Sequence, residues 1–199
     1  LGKELPRPRA VLCVSAHWWT EGSLLTAAPQ PRTIHDFGGF PPALHAVQYP
    51  APGDPALAEQ VRALLDASGA AAAPVELDLE WGLDHGAWSV LVHAFPDADI
   101  PVVQLSINAE EPLEYHLGLG ARLAPLRDSG VLVLGSGNIV HNLRLLDSGF
   151  ADTGFDWATR FDNAAREILT TAPGDVLRLR EHPDFAAAVP TPDHFIPMV

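Results

Sequence analysis

Nine histidines occur in a chain of 199 residues. Imidazole is the side chain that changes charge near neutral pH and also ligates divalent metals, so their surroundings come first. His17 directly follows an apolar run in Ser15-Ala16-His17-Trp18-Trp19, and His141 follows a second run after Gly135-Ser136-Gly137-Asn138. The small residues of that turn let the backbone pass closely around a bound group. His194 stands in Pro190-Thr191-Pro192-Asp193-His194-Phe195, where two prolines restrict the backbone and aim the side chain at low entropic cost. His85 follows Asp84 in Trp81-Gly82-Leu83-Asp84-His85-Gly86-Ala87-Trp88. With Asp84 as a helix cap, His85 falls in the first turn, where the dipole disfavours imidazolium and favours a neutral ring suited to substrate contact or proton transfer.

Plainer roles stay open at each position. From position alone a histidine after a strand, such as His17 or His141, is usually a hydrogen-bonded rim residue, while His85 reads also as a histidine satisfying a helix entrance and Asp193 as a capping carboxylate. His45, His93, His116 and His182 are read as structural or exposed, as most histidines are. His35 lies in a loop that is a candidate to cover a pocket.

The elements that would position these side chains form an α/β pattern. Residues 9–16 are a nearly continuous apolar run, the mark of a parallel strand covered on both faces, and 102–107 and 131–134 repeat it. Helices are expected over 54–67, opened by Asp54-Pro55, over 84–95, over 110–126 with acidic residues in its first turn, and over 157–170. Strands alternating with helices predict one domain with a mostly parallel central sheet and helices on both faces. In open α/β sheets ligands bind beyond the carboxyl ends of the strands, where His17 and His141 fall. Residues 22–52, rich in proline, glycine and aromatics, are too long for a passive connection and read as a functional loop. Residues 70–73 read as loop or helix end.

Bulk composition narrows the partners. Twelve Lys+Arg against 25 Asp+Glu give a formal charge of −13, which repels nucleic acid and anionic lipid alike. The single cysteine, Cys13, sits in an apolar run and reads as a core residue, and one cysteine permits no internal disulfide. No apolar stretch approaches the roughly 20 residues that span a bilayer, and a cytoplasmic location is expected. The chain starts without Met and stops at Ile196-Pro197-Met198-Val199, so further segments are expected at both ends of a single catalytic domain over 1–199.

Five motifs, in order, resemble the DOPA 4,5-dioxygenase-like branch of the LigB-type class III extradiol dioxygenases. They are Ser-Ala-His-Trp at 15–18, Asp-Phe-Gly-Gly-Phe-Pro at 36–41, Gly-Leu-Asp-His-Gly-Ala-Trp at 82–88, Gly-Ser-Gly-Asn-Ile-Val-His-Asn at 135–142 and Thr-Pro-Asp-His-Phe at 191–195. The resemblance implies a non-haem metal site active with Fe(II), with Zn(II) also found in such proteins. It implies His17 and His194 as ligands, His141 as ligand or acid/base beside the metal, and His85 as a further active-site histidine. The reaction implied is opening of a catechol-type ring with O2. Trp18, Phe37 and Phe40 are candidates for an aromatic substrate wall, with burial in the core an equal alternative for each. The family also has a metal-binding histidine in a His-Gly-Ser-Pro-like segment before the first motif, and nothing of that kind precedes His17.

Two rival functions follow from the same residues. Histidine-bound Zn(II) with a water supports hydrolysis, against which stands the lack of an H-E-x-x-H motif or an obvious carboxylate base. The other is a non-catalytic metal-binding module on the same fold.

Overall fold

A strand covered on both faces must be apolar along its whole length, because successive side chains point to opposite sides. Strand β1 (Ala10–Thr20) opens in this way, with Ala10, Val11, Leu12 and Cys13 all buried. It pairs in parallel with β4 (Val102–Asn108) on one side and β5 (Val131–Ser136) on the other. The five-stranded sheet has the order β3-β2-β4-β1-β5, where β2 is Leu24–Thr26 and β3 is Glu76–Asp78. Among the described residues only the β2–β4 pairing is antiparallel. The computed structural model describes residues 2, 4–67, 74–147, 149 and 153–199, and the 70–73 patch lies outside them.

Alternation along β1 sends its side chains into two cores. Ala10 and Leu12 join Leu57, Val61 and Leu65 of α2 (Pro55–Ala67) and Leu119 of α4 (Leu113–Arg122). Val11 and Cys13 join Ala87, Trp88 and Leu91 of α3 (His85–Ala94), with Tyr49 from the long loop, which itself holds the four-residue helix α1 (Pro42–His45). Helices therefore cover both faces of one mostly parallel sheet, as expected.

Some boundaries differ from expectation. The first strand runs on to Thr20, and the helix expected over 110–126 is two, α4 and α5 (Ala124–Asp128). Pro125 stands at the junction and has no N–H to continue the ladder. β2 and β3, at three residues each, are too short to carry a readable period. A third apolar cluster joins α6 (Asp156–Thr171), the 3-10 segment Pro173–Glu181, α7 (Phe185–Ala188) and Phe195. Phe195, 1% exposed, anchors the segment that carries His194. Cys13 is fully buried and burial pushes its thiol far up, so it is the core residue expected.

Candidate active site

The ladder of β1 breaks where the chemistry begins. Pairing with β5 ends at Ser15↔Ser136, and pairing with β4 slips between Val14 and Trp19. Four β1 residues, 15–18, stand opposite the single β4 residue Ser106. Such a bulge re-aims side chains, and His17 leaves the sheet at its carboxyl end.

Four histidines meet there. The His17 ring centroid lies 3.8 Å from that of His85 and 5.1 Å from that of His194, and His141 stacks on His194 at 3.4 Å. His17, His141 and His194, far apart in sequence, thus share one place with His85. The remaining five histidines take other positions: His93 is exposed, and His116 is buried in α4 with Nε2 lacking a partner among the described residues. His35 Nε2 contacts Val47 O at 2.9 Å.

Each of the four is set by its own element. Asp84 caps α3 as expected, accepting the Ala87 N–H at 3.2 Å, and places His85 at the helix start. Asp36, from the long loop, accepts the His85 backbone N–H at 2.8 Å with Oδ1 and stands 2.9 Å from His85 Nδ1 with Oδ2. This second contact lies at hydrogen-bond distance, without the ring N–H aligned on that oxygen. His141 is held through its backbone N–H on Ala188 O at 2.9 Å, and Asn142 Nδ2 donates to Ala187 O at 2.7 Å. His194 Nδ1 faces Asn138 Oδ1 at 3.1 Å, while its carbonyl accepts the Asn138 N–H at 2.9 Å. With Asn138 Oδ1 accepting, His194 carries its proton on Nδ1 and keeps a lone pair on Nε2.

The glycines of the 135–138 turn serve a different end from the one expected. A Cβ at Gly135 would collide with Pro197 O, and one at Gly137 with His194 O. These glycines admit the backbone of the His194 segment rather than a ligand, and so bring His194 against the end of β5.

Charge divides the four rings. Burial, then the neighbouring His141 and His17, lowers His194 to about 4, and burial with His85 lowers His17. His85 is raised, chiefly by Asp36. The direction is opposite to the one expected from the helix dipole: a carboxylate at 2.9 Å favours the protonated ring by more than desolvation opposes it.

Of the aromatic candidates, Phe37 packs edge-to-face on His85 at 5.3 Å, and Phe40 packs on Phe37 at 5.4 Å with 57% of its surface exposed. Trp18 is 3% exposed and stacks on Trp81 at 5.5 Å, so for this residue core packing is what the structure displays. A cavity of about 850 Å³ lies elsewhere, between Leu5–Pro8, the ends of α4 and α5, β5 and Val199. None of the four histidines lines it, and among the described residues that do, arginines are the only ones with ionisable side chains.

The donor set fits a divalent cation. Ligand atoms of His17, Asp36 and His85 lie within 4.8 Å of one another, as do those of His141, Asp193 and His194. Asp193 Oδ1 is buried with no hydrogen-bond partner among the described residues, and a cation or its water would satisfy that acceptor. Imidazole and carboxylate together suit Fe(II) or Zn(II).

Comparison with known proteins decides among the chemistries open to such a site. Residues 2–199 match the family described as catalytic LigB subunit of aromatic ring-opening dioxygenase. The chain belongs to the LigB family. It is 46% identical to 4,5-DOPA dioxygenase extradiol of Escherichia coli (strain K12), across 100% of this chain and 73% of that protein. It is 39% identical to the Beta vulgaris protein of the same description, across 96% and 71%. The crystal structure of an uncharacterized Escherichia coli K12 protein, 41% identical, superposes with a TM-score of 0.83 over 100% of this chain and 76% of the other, and shares the single α/β domain. This LigB member is an extradiol aromatic ring-opening dioxygenase of the DOPA 4,5-dioxygenase-like type. LigB dioxygenases use non-haem Fe(II), and its His/Asp groups offer the donors. No helix among the described residues is long and apolar enough to cross a membrane.

Asp36, Ser15, Gln104 and Asn138 were not singled out by sequence reasoning. Asp36 lay inside a quoted motif, but no spacing rule ties residue 36 to residue 85.

Proposed function

We propose that His17, His141 and His194 hold the Fe(II) of this dioxygenase, that His85 moves the proton, and that a DOPA-like catechol is the ring opened. The observation that carries this reading is the convergence of four imidazoles from four separate elements at the carboxyl end of the sheet. When bound, Fe(II) supplies catechol chelation and activation of O2, chemistry that no amino-acid side chain provides.

The chain's own residues do the rest. His194, kept unprotonated by burial, presents Nε2 as a ligand, and Asn138 holds its ring from the other side. His17 is likewise driven toward the neutral form that can ligate. His85, whose protonated form Asp36 favours, has its second ring nitrogen Nε2 to offer a proton to the ring-opening step. Phe37 and Phe40 border His85 on the loop side and give an aromatic ring an apolar surface to lie against. The native cation for turnover is Fe(II), with Zn(II) an inactive occupant of the same donors.

The test is anaerobic reconstitution with Fe(II), followed by O2 uptake and product absorbance with a catechol panel that includes DOPA. Stoichiometric uptake with a yellow ring-fission product is expected from DOPA. Uptake with other catechols and none with DOPA overturns the substrate, and elemental analysis finding no cation after loading overturns the ligand assignment.

A further inference from the structure

We infer that Asp84 is a positioning residue for the metal site and also its buried counter-charge. This inference rests on the ligand assignment proposed above. Asp84 is 0% exposed, and its two oxygens take donors from three elements. Oδ1 accepts the Ser15 hydroxyl of β1 at 2.6 Å and the Ala87 N–H of α3 at 3.2 Å, and Oδ2 accepts Gln104 Nε2 of β4 at 2.8 Å. Ser15 Oγ in turn accepts the backbone N–H of His17 at 3.2 Å. One carboxylate therefore ties the strand that carries His17 to the helix that starts with His85.

Gly86 makes the tie close. A Cβ at that position would collide with Ser15 Oγ, stand 2.8 Å from His17 Cδ2 and 3.2 Å from Asp84 Oδ1. The carboxylate and the His17 ring thus pass the same α-carbon. Ser136 Oγ donates to Gly86 O at 2.6 Å and draws the end of β5 into the same junction.

Capping alone does not require this arrangement, since Ser or Asn caps a helix without a charge. A fully buried carboxylate is costly unless a positive charge faces it. The groups that Ser15, Ala87 and Gln104 donate to Asp84 are all neutral. A protonated His85, which Asp84 also favours, supplies part of the positive charge, and a divalent cation held by His17 and its neighbours supplies the larger part, the carboxylate in return strengthening its binding. Gln104 Oε1 is buried without a partner among the described residues, which leaves the Gln104 amide free to turn and pair with the carboxamide that Asp84→Asn introduces. Asp84→Asn is for that reason a substitution that removes charge while preserving shape and hydrogen bonding.

The experiment measures Zn(II) affinity of the full chain by chelator competition, alongside the melting temperature of the metal-free protein. For Asp84→Asn the metal-free melting temperature should stay near that of the unmodified protein, while Zn(II) affinity falls about 10–100-fold, the usual cost of losing an outer partner of a metal site. Gln104→Leu, which keeps the charge and loses a donor, should lower stability and leave affinity close to its original value. Unchanged affinity in folded Asp84→Asn overturns the inference, as does an equal loss in Gln104→Leu. Should Asp84→Asn fail to fold, Ser15→Ala decides: it cuts the link to His17, so weaker Zn(II) binding supports the inference and unchanged binding overturns it. Failure of the unmodified protein to bind Zn(II) would instead overturn the ligand assignment.

Discussion

The histidine cluster has two halves built from the same residue types. His17, Asp36 and His85 form one, and His141, Asp193 and His194 form the other. In the first, the carboxylate is 2.9 Å from an imidazole nitrogen and raises it. In the second, Asp193 Oδ2 is 3.8 Å from His194 Nε2, Asp193 Oδ1 has no partner among the described residues, and His194 falls to about 4. The difference teaches that donor identity does not fix function. A carboxylate in contact makes a histidine a proton carrier, whereas one held off, with burial, leaves a bare lone pair for a cation. His17 sits on the border, its ring tilted against that of His85 at 3.8 Å but lowered like the second half.

The largest effect should come from breaking the second half. His194→Ala is expected to abolish stoichiometric Fe(II) binding and with it turnover, read as metal content and O2 uptake. His85→Ala should retain metal and lose about 10²–10⁴ in rate, the range of an acid/base group. Loss of metal in His85→Ala would erase the division between the halves.

A smaller effect is expected at Asp36, which acts through His85. Asp36→Asn should keep metal content and lower the rate by about tenfold, with His85 released toward its ordinary value. Because Asp36 raises His85, its loss moves the basic limb of the pH–rate profile to lower pH. A profile unchanged in position would remove His85 as the group that titrates in turnover.

How much of this division was legible beforehand depends on distance along the chain. The buried strands over 9–16, 102–107 and 131–134 were readable because continuous apolarity is a local signal, and the Asp84 cap because it sits beside its helix. The motifs carried the four histidines. The raised state of His85 was not legible, since it depends on a carboxylate 49 residues away reaching back across the sheet end. Nor was the task of Gly135 and Gly137, whose neighbours arrive from the His194–Pro197 segment. Trp18 was left open between wall and core because the ring it stacks on, Trp81, is distant in sequence and just outside the third motif.

Metal-free protein offers a thermodynamic version of the same contrast. His194 and His17 are lowered on folding, so their contribution to stability is fully present above about 6.5 and is lost as pH falls toward about 4. His85 is raised, so its contribution is present below its ordinary value and fades as pH rises through its folded value. The melting temperature should therefore drop between pH 6.5 and 4 by several degrees, at about 2–4 °C per kcal/mol lost for a chain of this size. His194→Asn should flatten that drop, whereas His85→Asn should remove the decline on the other side, as pH rises above about 6.5. An unchanged acid slope in His194→Asn, with an unchanged alkaline decline in His85→Asn, would mean that the two halves do not differ in proton affinity.

The smallest effect is expected outside both halves, at the loop aromatics. Phe37 touches His85 directly, whereas Phe40 touches Phe37 and leaves 57% of its surface in water. Truncating an exposed ring costs little folding stability, because little apolar area returns to solvent. Its remaining effect is on a substrate ring lying against it. Phe40→Ala should raise KM for a catechol by about two- to fivefold, within the roughly 1 kcal/mol of an aromatic contact, and leave kcat unchanged. Phe37→Ala should alter kcat as well, since it removes the ring packed edge-to-face on His85. If the two substitutions change only KM and by the same factor, Phe37 is a wall like Phe40, and Asp36 alone orients the proton carrier.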